Sequence, residues 1–247
     1  MAILWQQTSG GNRYEVRSAG ATRRLYTNGV FHSQYNPRHP VGGSVWDLLL
    51  LPAFFLPAGQ IKRVLVLGVG GGAVMQQLNY FLTPALITGV ELNPVHLRLA
   101  QRFFGLQAGN IELVQADAVT WVNEYRGPGY DLIIDDLFGH DGTETRRAVA
   151  VDADWTAALA KALAPRGALV FNFHSAAALR KSAPMLATER RFVSAYRLTT
   201  SLYDNVIGAF FTAPVTKKLF LDTLAATPHL DRRKKSCRLN FTFRKLR

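Results

Sequence analysis

The sequence predicts an α/β protein on a mostly parallel, seven-stranded sheet with an antiparallel last strand, preceded by a small N-terminal β-hairpin unit. Three observations carry this reading. Residues 64–67 are a continuous apolar run, as a parallel strand buried on both faces requires, and they lead straight into the glycine-rich turn Gly68-Val69-Gly70-Gly71-Gly72. From residue 61 onward, short apolar runs alternate with stretches of helical length, the pattern of a parallel sheet covered on both faces. The last two strand candidates, 195–202 and 206–212, are separated only by Tyr203-Asp204-Asn205, which suits an antiparallel hairpin and is too short for a crossover.

Residues 1–60 read as the hairpin unit and a linker helix. Turn signals at Ser9-Gly10-Gly11-Asn12 and Asn28-Gly29 bracket short strands at 13–17 and 23–26, and Asn-Gly is a strong hairpin signal. Residues 44–56, SVWDLLLLPAFFL, read as a short buried helix with Ser44 as its N-cap. Residues 61–226 form the sheet domain. Its first strands are expected at 63–67, 86–91, 111–115, 130–135 and 167–173, with helices near 73–82, 94–104, 118–125 and 152–163. Six or seven strands closing in an antiparallel hairpin favour the Rossmann-like methyltransferase sheet over the all-parallel dinucleotide sheet. Residues 227–247 read as a basic C-terminal tail.

Composition narrows the function classes. A chain of 247 residues with 48% hydrophobic content buries a full core. The longest apolar stretch, 48–56, is broken by Pro52 and is too short to span a bilayer, so no membrane contact is expected. No basic segment followed by an apolar run and a cleavage site opens the chain, so a signal peptide is not expected and a cytoplasmic location is the default. The single cysteine, Cys237, excludes an intrachain disulfide and a cysteine-based metal cluster. His32, His39, His140 and His174 lack ligand spacing, so no metal is expected. Of the net charge of +12, residues 231–247 carry +7. A solvated, partly mobile tail is the simpler reading of that run, and a weak contact with nucleic acid or another polyanion is the alternative.

Ligands of open α/β sheets bind beyond the C-terminal ends of the strands, so the residues there identify the chemistry. The first strand ends in the glycine turn, where Gly68, Gly70, Gly71 and Gly72 admit positive φ and close approach of a ligand to the backbone. The helix that follows offers free N–H groups and a positive dipole end. The second strand ends in Glu91, placed to accept the two hydroxyls of a ribose, with Leu92 next to it. These two features also suit a nicotinamide dinucleotide. The third strand ends in Ala116-Asp117-Ala118, where Asp117 can accept from the exocyclic amine of adenine while capping the next helix. The fourth ends in Asp135-Asp136, two carboxylates that are costly at the mouth of a buried strand unless something pairs with them. Taken in order, the four ends point to S-adenosylmethionine or a close analogue.

These stretches resemble the spermidine synthase family and, more broadly, the spermidine-synthase-like methyltransferases. VLVLGVGGGAVMQQL, VELNPVHLRLAQRFFGL, IELVQADAVTWV and YDLIIDDLFG carry the likeness. The resemblance implies that the glycine turn and Glu91 hold the sulfonium portion and ribose of the cofactor and that Asp117 faces its adenine. Leu92, Ala118 and Asp136 complete the expected cofactor-binding set. The acid at Asp136 would be the catalytic one, binding and helping to deprotonate an attacking amine, and a homodimer is implied. Three departures bear on the reaction. Gly71 stands where aminopropyltransferases carry an aspartate, Gly139 where they carry a second acid for the diamine, and His32 in place of a glutamine of the hairpin. A doubly charged diamine needs several carboxylates to replace its hydration.

The leading expectation is therefore an S-adenosylmethionine-dependent methyltransferase acting on an amine or another small nucleophile. An aminopropyltransferase using decarboxylated S-adenosylmethionine is the second, and a non-catalytic cofactor- or nucleic-acid-binding protein the third. Asp136 is the expected activating group, and His140 and His174 are candidate bases because an imidazole titrates near neutral pH.

Overall fold

Asn28 and Gly29 both take positive φ, 51° and 82°, the two-residue turn that joins twisted hairpin strands without splaying them. This is one of three turns that fold the N-terminus of the computed structural model into a four-stranded antiparallel sheet. Its strands follow chain order: β1 (Ala2–Ser9), β2 (Asn12–Ala19), β3 (Thr22–Thr27) and β4 (Val30–Tyr35). The hairpin expected from the sequence is thus the middle of a larger unit. β1 has no buried residue, so no inward-facing alternation marks it as a strand. The structure describes residues 1–141, 144–186 and 188–247, and the side chains of 140–146 lie outside the described set.

The linker helix α1 (Val45–Leu50) tightens into a 3₁₀ turn over Leu51–Phe55, where Pro52 has no N–H to continue the α-helical ladder. Asp47 anchors it. Its carboxylate is 2% exposed and accepts from the backbone N–H groups of Gly42, Gly43 and Ser44, the Ser44 hydroxyl and the Gln77 amide.

The main sheet has eight strands. Its parallel part comprises β5 (Arg63–Leu67), β6 (Leu86–Glu91), β7 (Ile111–Gln115), β8 (Tyr130–Asp135) and β11 (Leu163–Phe173). β12 (Ser194–Thr199) and β13 (Val206–Phe211) form the expected antiparallel hairpin, with β13 inserted against β11. The eighth strand, β14 (Thr242–Lys245), comes from the basic segment and pairs antiparallel with β12. The spatial order is β14-β12-β13-β11-β8-β5-β6-β7. Between β8 and β11 the chain makes a short hairpin of β9 (Phe138–Asp141) and β10 (Glu144–Arg147) that the sequence did not suggest.

Side-chain alternation along β5 shows why both faces must be covered. Val64 and Val66 join a core with α1 and α2 (Ala73–Leu82), whereas Leu65 and Leu67 join another with α4 (Ala118–Glu124) and α5 (Ala153–Lys161). Three further helices, α3 (Pro94–Phe104), α6 (Ala176–Lys181) and α7 (Lys217–Ala226), complete the layers. Among the described residues, no helix is long and apolar enough to cross a membrane.

Gly72 shows how tightly the turn is built. It caps α2 with φ of +76°, and a Cβ there would lie 2.1 Å from Leu106 Cδ1. Gly72→Ala is expected to cost about 2–4 kcal/mol from combined strain and overpacking. Gly42→Ala, with open space around it, serves as the neutral control in urea unfolding. Equal midpoints for the two variants would refute the packing argument.

Candidate active site

The C-terminal ends of β5, β6 and β8 meet because Gly68 has no side chain. Its φ is +84°, its N–H donates to Val90 O at 2.9 Å, and a Cβ would stand 2.5 Å from the Asp136 carbonyl oxygen. The exit of β8 therefore crosses directly over the exit of β5, secured by Asp136 N–H donating to Leu67 O at 2.9 Å. Further along the turn, Gly70 (φ +53°) abuts the His32 carbonyl and Gly71 abuts Ser33, both on β4. The N-terminal sheet is thus one wall of the turn. At Gly71 a Cβ would come within 2.8 Å of Ser33 Cβ and 3.1 Å of Phe104, so that position holds no acid in this fold.

Glu91 organises the turn from beneath. Its Oε2 accepts from Val69 N–H at 3.0 Å and Gly70 N–H at 2.9 Å, and its Oε1 accepts from Asn93 N–H at 2.9 Å. A carboxylate offers about four acceptor sites, so most of its capacity goes to backbone. Burial would raise the Glu91 pKa, but the adjacent His96 imidazole and the N–H groups of Asn93 and Gly70 outweigh it and hold the carboxyl below its ordinary value. His96 Nδ1 lies 3.9 Å from Glu91, and its Nε2 meets the Thr27 hydroxyl at 2.8 Å. His96 had no signal in the sequence beyond its helical position.

Leu92, beside Glu91, is 68% exposed, an apolar surface waiting at the mouth. Asp117 is exposed and caps α4, with Oδ1 accepting from the Thr120 N–H and hydroxyl at 2.9 and 3.0 Å. That bond to Thr120 holds the Asp117 carboxyl below its ordinary value. Ala118 is buried behind it. An exposed apolar platform, an exposed carboxylate and a glycine turn backed by an ionised acid fit an adenosine-bearing cofactor.

The paired acids have different partners. Asp135, 1% exposed, accepts from Arg147 Nη2 on both its oxygens at 2.8 and 2.9 Å, from the Trp155 indole N–H at 2.8 Å and from the Leu137 N–H at 3.1 Å. Arg147 also donates to the Asn172 carbonyl at 2.7 Å. Asp136 accepts from the Asn172 amide at 2.7 Å, and Asn172 in turn accepts from Asn205 at 2.9 Å. Some of the Asp136 surface remains accessible, yet its position at the strand mouth pushes its pKa up to about 7. Desolvation is the main cause, with Asp135 and Glu91 adding to it, while Asn172 and Arg147 oppose it. Arg147 and Asn205 were not among the sequence candidates. The requirement that buried acids be paired foretold a partner for Asp135 but not which residue.

Of the two histidine candidates, His174 makes no hydrogen bond to this group among the described residues. His174 is exposed after β11 and lines a pocket of about 910 Å³ with Arg147, Asp152, Phe173 and Lys181. His140 lies outside the residues whose side chains are described. Among the described residues, no three His, Cys, Asp or Glu side chains converge as metal ligands do.

No protein-family model matches the chain. It is 30% identical over 116 residues to a polyamine aminopropyltransferase of Chromobacterium violaceum, covering 46% of this chain and 43% of that protein. It is also 30% identical over 131 residues to the eEF1A lysine and N-terminal methyltransferase of Danio rerio, covering 50% of this chain and 19% of that protein. The chain thus matches less than half the length of these curated relatives. Among solved structures, a probable spermidine synthase from Corynebacterium glutamicum superposes with TM-score 0.73 at 16% identity, covering 99% of this chain and 91% of that one. A spermidine synthase in complex with the transition-state analogue AdoDATO gives TM-score 0.65 at 15% identity over 86% of this chain and 74% of that one. Human methyltransferase-like protein 13 in complex with S-adenosylhomocysteine gives 0.61 at 19% identity over 77% and 93%. These structural likenesses establish the fold.

Two outcomes follow from the acids. Glu91→Ala strands three backbone N–H groups and is expected to cost about 2–4 kcal/mol in urea unfolding, besides weakening any ligand of the turn. An unchanged midpoint would remove Glu91 from its role under the turn. Asp136 gives a pH signature. The folded chain keeps that proton to about pH 7, whereas the unfolded chain releases it near pH 4, so the folded state binds more protons in between. Stability conferred by Asp136 is therefore complete below about pH 4 and declines as pH rises to about 7, by at most about 4 kcal/mol. Asp136→Asn should flatten that decline, and parallel stability curves for the two proteins would contradict the assignment.

Proposed function

We propose, for a chain that belongs with the spermidine-synthase-like proteins of the S-adenosylmethionine-dependent methyltransferase superfamily, a transferase that moves an alkyl group from an S-adenosylmethionine-type sulfonium to an amine. The observation that carries this is Asp136, a carboxyl at the strand mouth beside the glycine turn whose pKa lies at about 7. A base with that affinity removes a proton from an ammonium group and releases it again at neutral pH. Asn172 and Asn205 orient its oxygens. Glu91 and the glycine turn would hold the ribose and sulfonium portion, Leu92 would pack on the adenosine, and Asp117 would take the exocyclic amine. The bound cofactor supplies an electrophilic carbon with a neutral thioether as leaving group.

Two forms of this reaction have support. Aminopropyl transfer from the decarboxylated cofactor is backed by the curated relative with that activity and by the spermidine synthase folds. Methyl transfer is favoured by one feature of this chain: Ser33 and Phe104 fill the space at Gly71, so no acid there repels the carboxylate of ordinary S-adenosylmethionine. Calorimetry with both cofactors separates them, since tighter binding of the decarboxylated form selects aminopropyl transfer.

Asp136→Asn tests the shared step. Turnover on an amine acceptor is expected to fall by about 10²–10⁴, with far less change in cofactor affinity. In the wild type, kcat/KM should rise with pH through about 7 as Asp136 ionises. Normal turnover in the variant would reduce Asp136 to a loop residue.

A further inference from the structure

We propose that the groove between α6 and the β12–β14 edge of the sheet is a phosphate-binding site, separate from the strand-end site. The groove has a volume of about 230 Å³ and is lined by Arg180, Arg197 and Arg244 over a floor that includes Leu179 and Ala176. Its cations come from three elements, α6, β12 and β14, and no acid lines it.

The pairing of β12 with β14 sets Arg197 directly opposite Arg244. Directly opposed residues of an antiparallel pair have Cβ atoms about 4.5–5.5 Å apart, and like charges in that relation are destabilising. Elsewhere the chain neutralises such groups, as in Arg147–Asp135, Arg191–Glu189 and Arg233–Asp231. None of the three groove arginines makes a side-chain hydrogen bond or ion pair among the described residues.

Two ordinary explanations for surface cations cover only part of this cluster. Charges on an edge strand discourage unwanted strand pairing, which accounts for Arg244 on β14. It leaves out Arg197, because β12 is paired on both sides. A cation in the last turn of a helix complements the helix dipole, which accounts for the charge of Arg180 but not for its lining the same groove. A phosphate group accounts for all three. Its oxygens accept from guanidinium forks in parallel, and its charge offsets the opposed pair. The volume admits a phosphate and its ester linkage, from either a free phosphorylated compound or a nucleic-acid backbone.

The test uses the full chain, with thermal unfolding and titration calorimetry at constant ionic strength. The probes are inorganic phosphate, pyrophosphate and a 20-nucleotide oligodeoxythymidylate, with acetate as the carboxylate control. The variant is Arg197→Gln/Arg244→Gln, and the control variant is Lys234→Gln/Lys235→Gln, two exposed residues absent from the groove lining. Without ligand, the groove variant should melt above the wild type, because the opposed charges are gone, and this also shows that it folds. It should bind phosphate probes at least tenfold more weakly than the wild type, while the control variant matches the wild type. Binding of the small anions identifies a phosphorylated compound as the source. Binding of the oligonucleotide alone, with a salt slope lowered by about 1.4 in the groove variant, identifies a nucleic-acid backbone. Equal affinities for wild type and groove variant, binding of acetate as strong as phosphate, or no binding of any phosphate probe would overturn the proposal.

Discussion

Asp135 places a carboxylate at the end of a central strand, where 1% exposure leaves its partners to the protein rather than to water. Arg147 reaches back from β10 to meet it, and Trp155 adds an indole N–H from α5. Removing one partner of such a buried pair typically costs about 3–5 kcal/mol, because the other charge stays behind. Four elements are thereby committed to one arrangement, since the same guanidinium also holds the Asn172 carbonyl on β11. Asp136, the next residue, turns to the Asn172 side chain instead. The position of the proposed base is a consequence of how its neighbour is neutralised.

The two acids nearest the glycine turn are driven apart in proton affinity by their surroundings. Glu91 sits among backbone N–H groups and an imidazole and stays ionised. Asp136 sits beside two other carboxylates in a desolvated position and holds its proton to near neutrality. An acid that stays charged suits the support of a turn, and one that exchanges its proton suits chemistry. That division of labour depends on tertiary partners and cannot be read from either residue alone.

What was legible in the sequence follows the same line. The helices expected near 73–82 and 94–104 form there, and the structure bounds the first with Gly72 and Thr83 and the second with Asn93 and Gly105. The inner strands were readable because burial on both faces leaves a plain apolar run. β1 and β14 were not, for they lie at sheet edges and carry polar or charged residues. The order and spacing of the strand ends singled out Glu91 and Asp136, which the structure sets beside the glycine turn, and Asp117, which it shows as the cap of α4. Arg147, His96 and Asn205 matter through contacts made across 12, 69 and 33 residues, to which no local pattern points.

The Thr27–His96 bond, which steadies the support of Glu91, has a consequence for how the protein matures. It closes a span of 69 residues, and contacts of such separation form late because loop closure must precede any reward. The glycine turn, by contrast, is held by Glu91 across only 21 and 22 residues. The N-terminal strands are synthesised first, so the wall that Ser33 and the His32 carbonyl provide is made before the turn and meets it only once His96 is present to hold Thr27. The surroundings of the turn are therefore completed by the docking of the N-terminal sheet, and a molecule whose sheet is undocked has the turn without its wall.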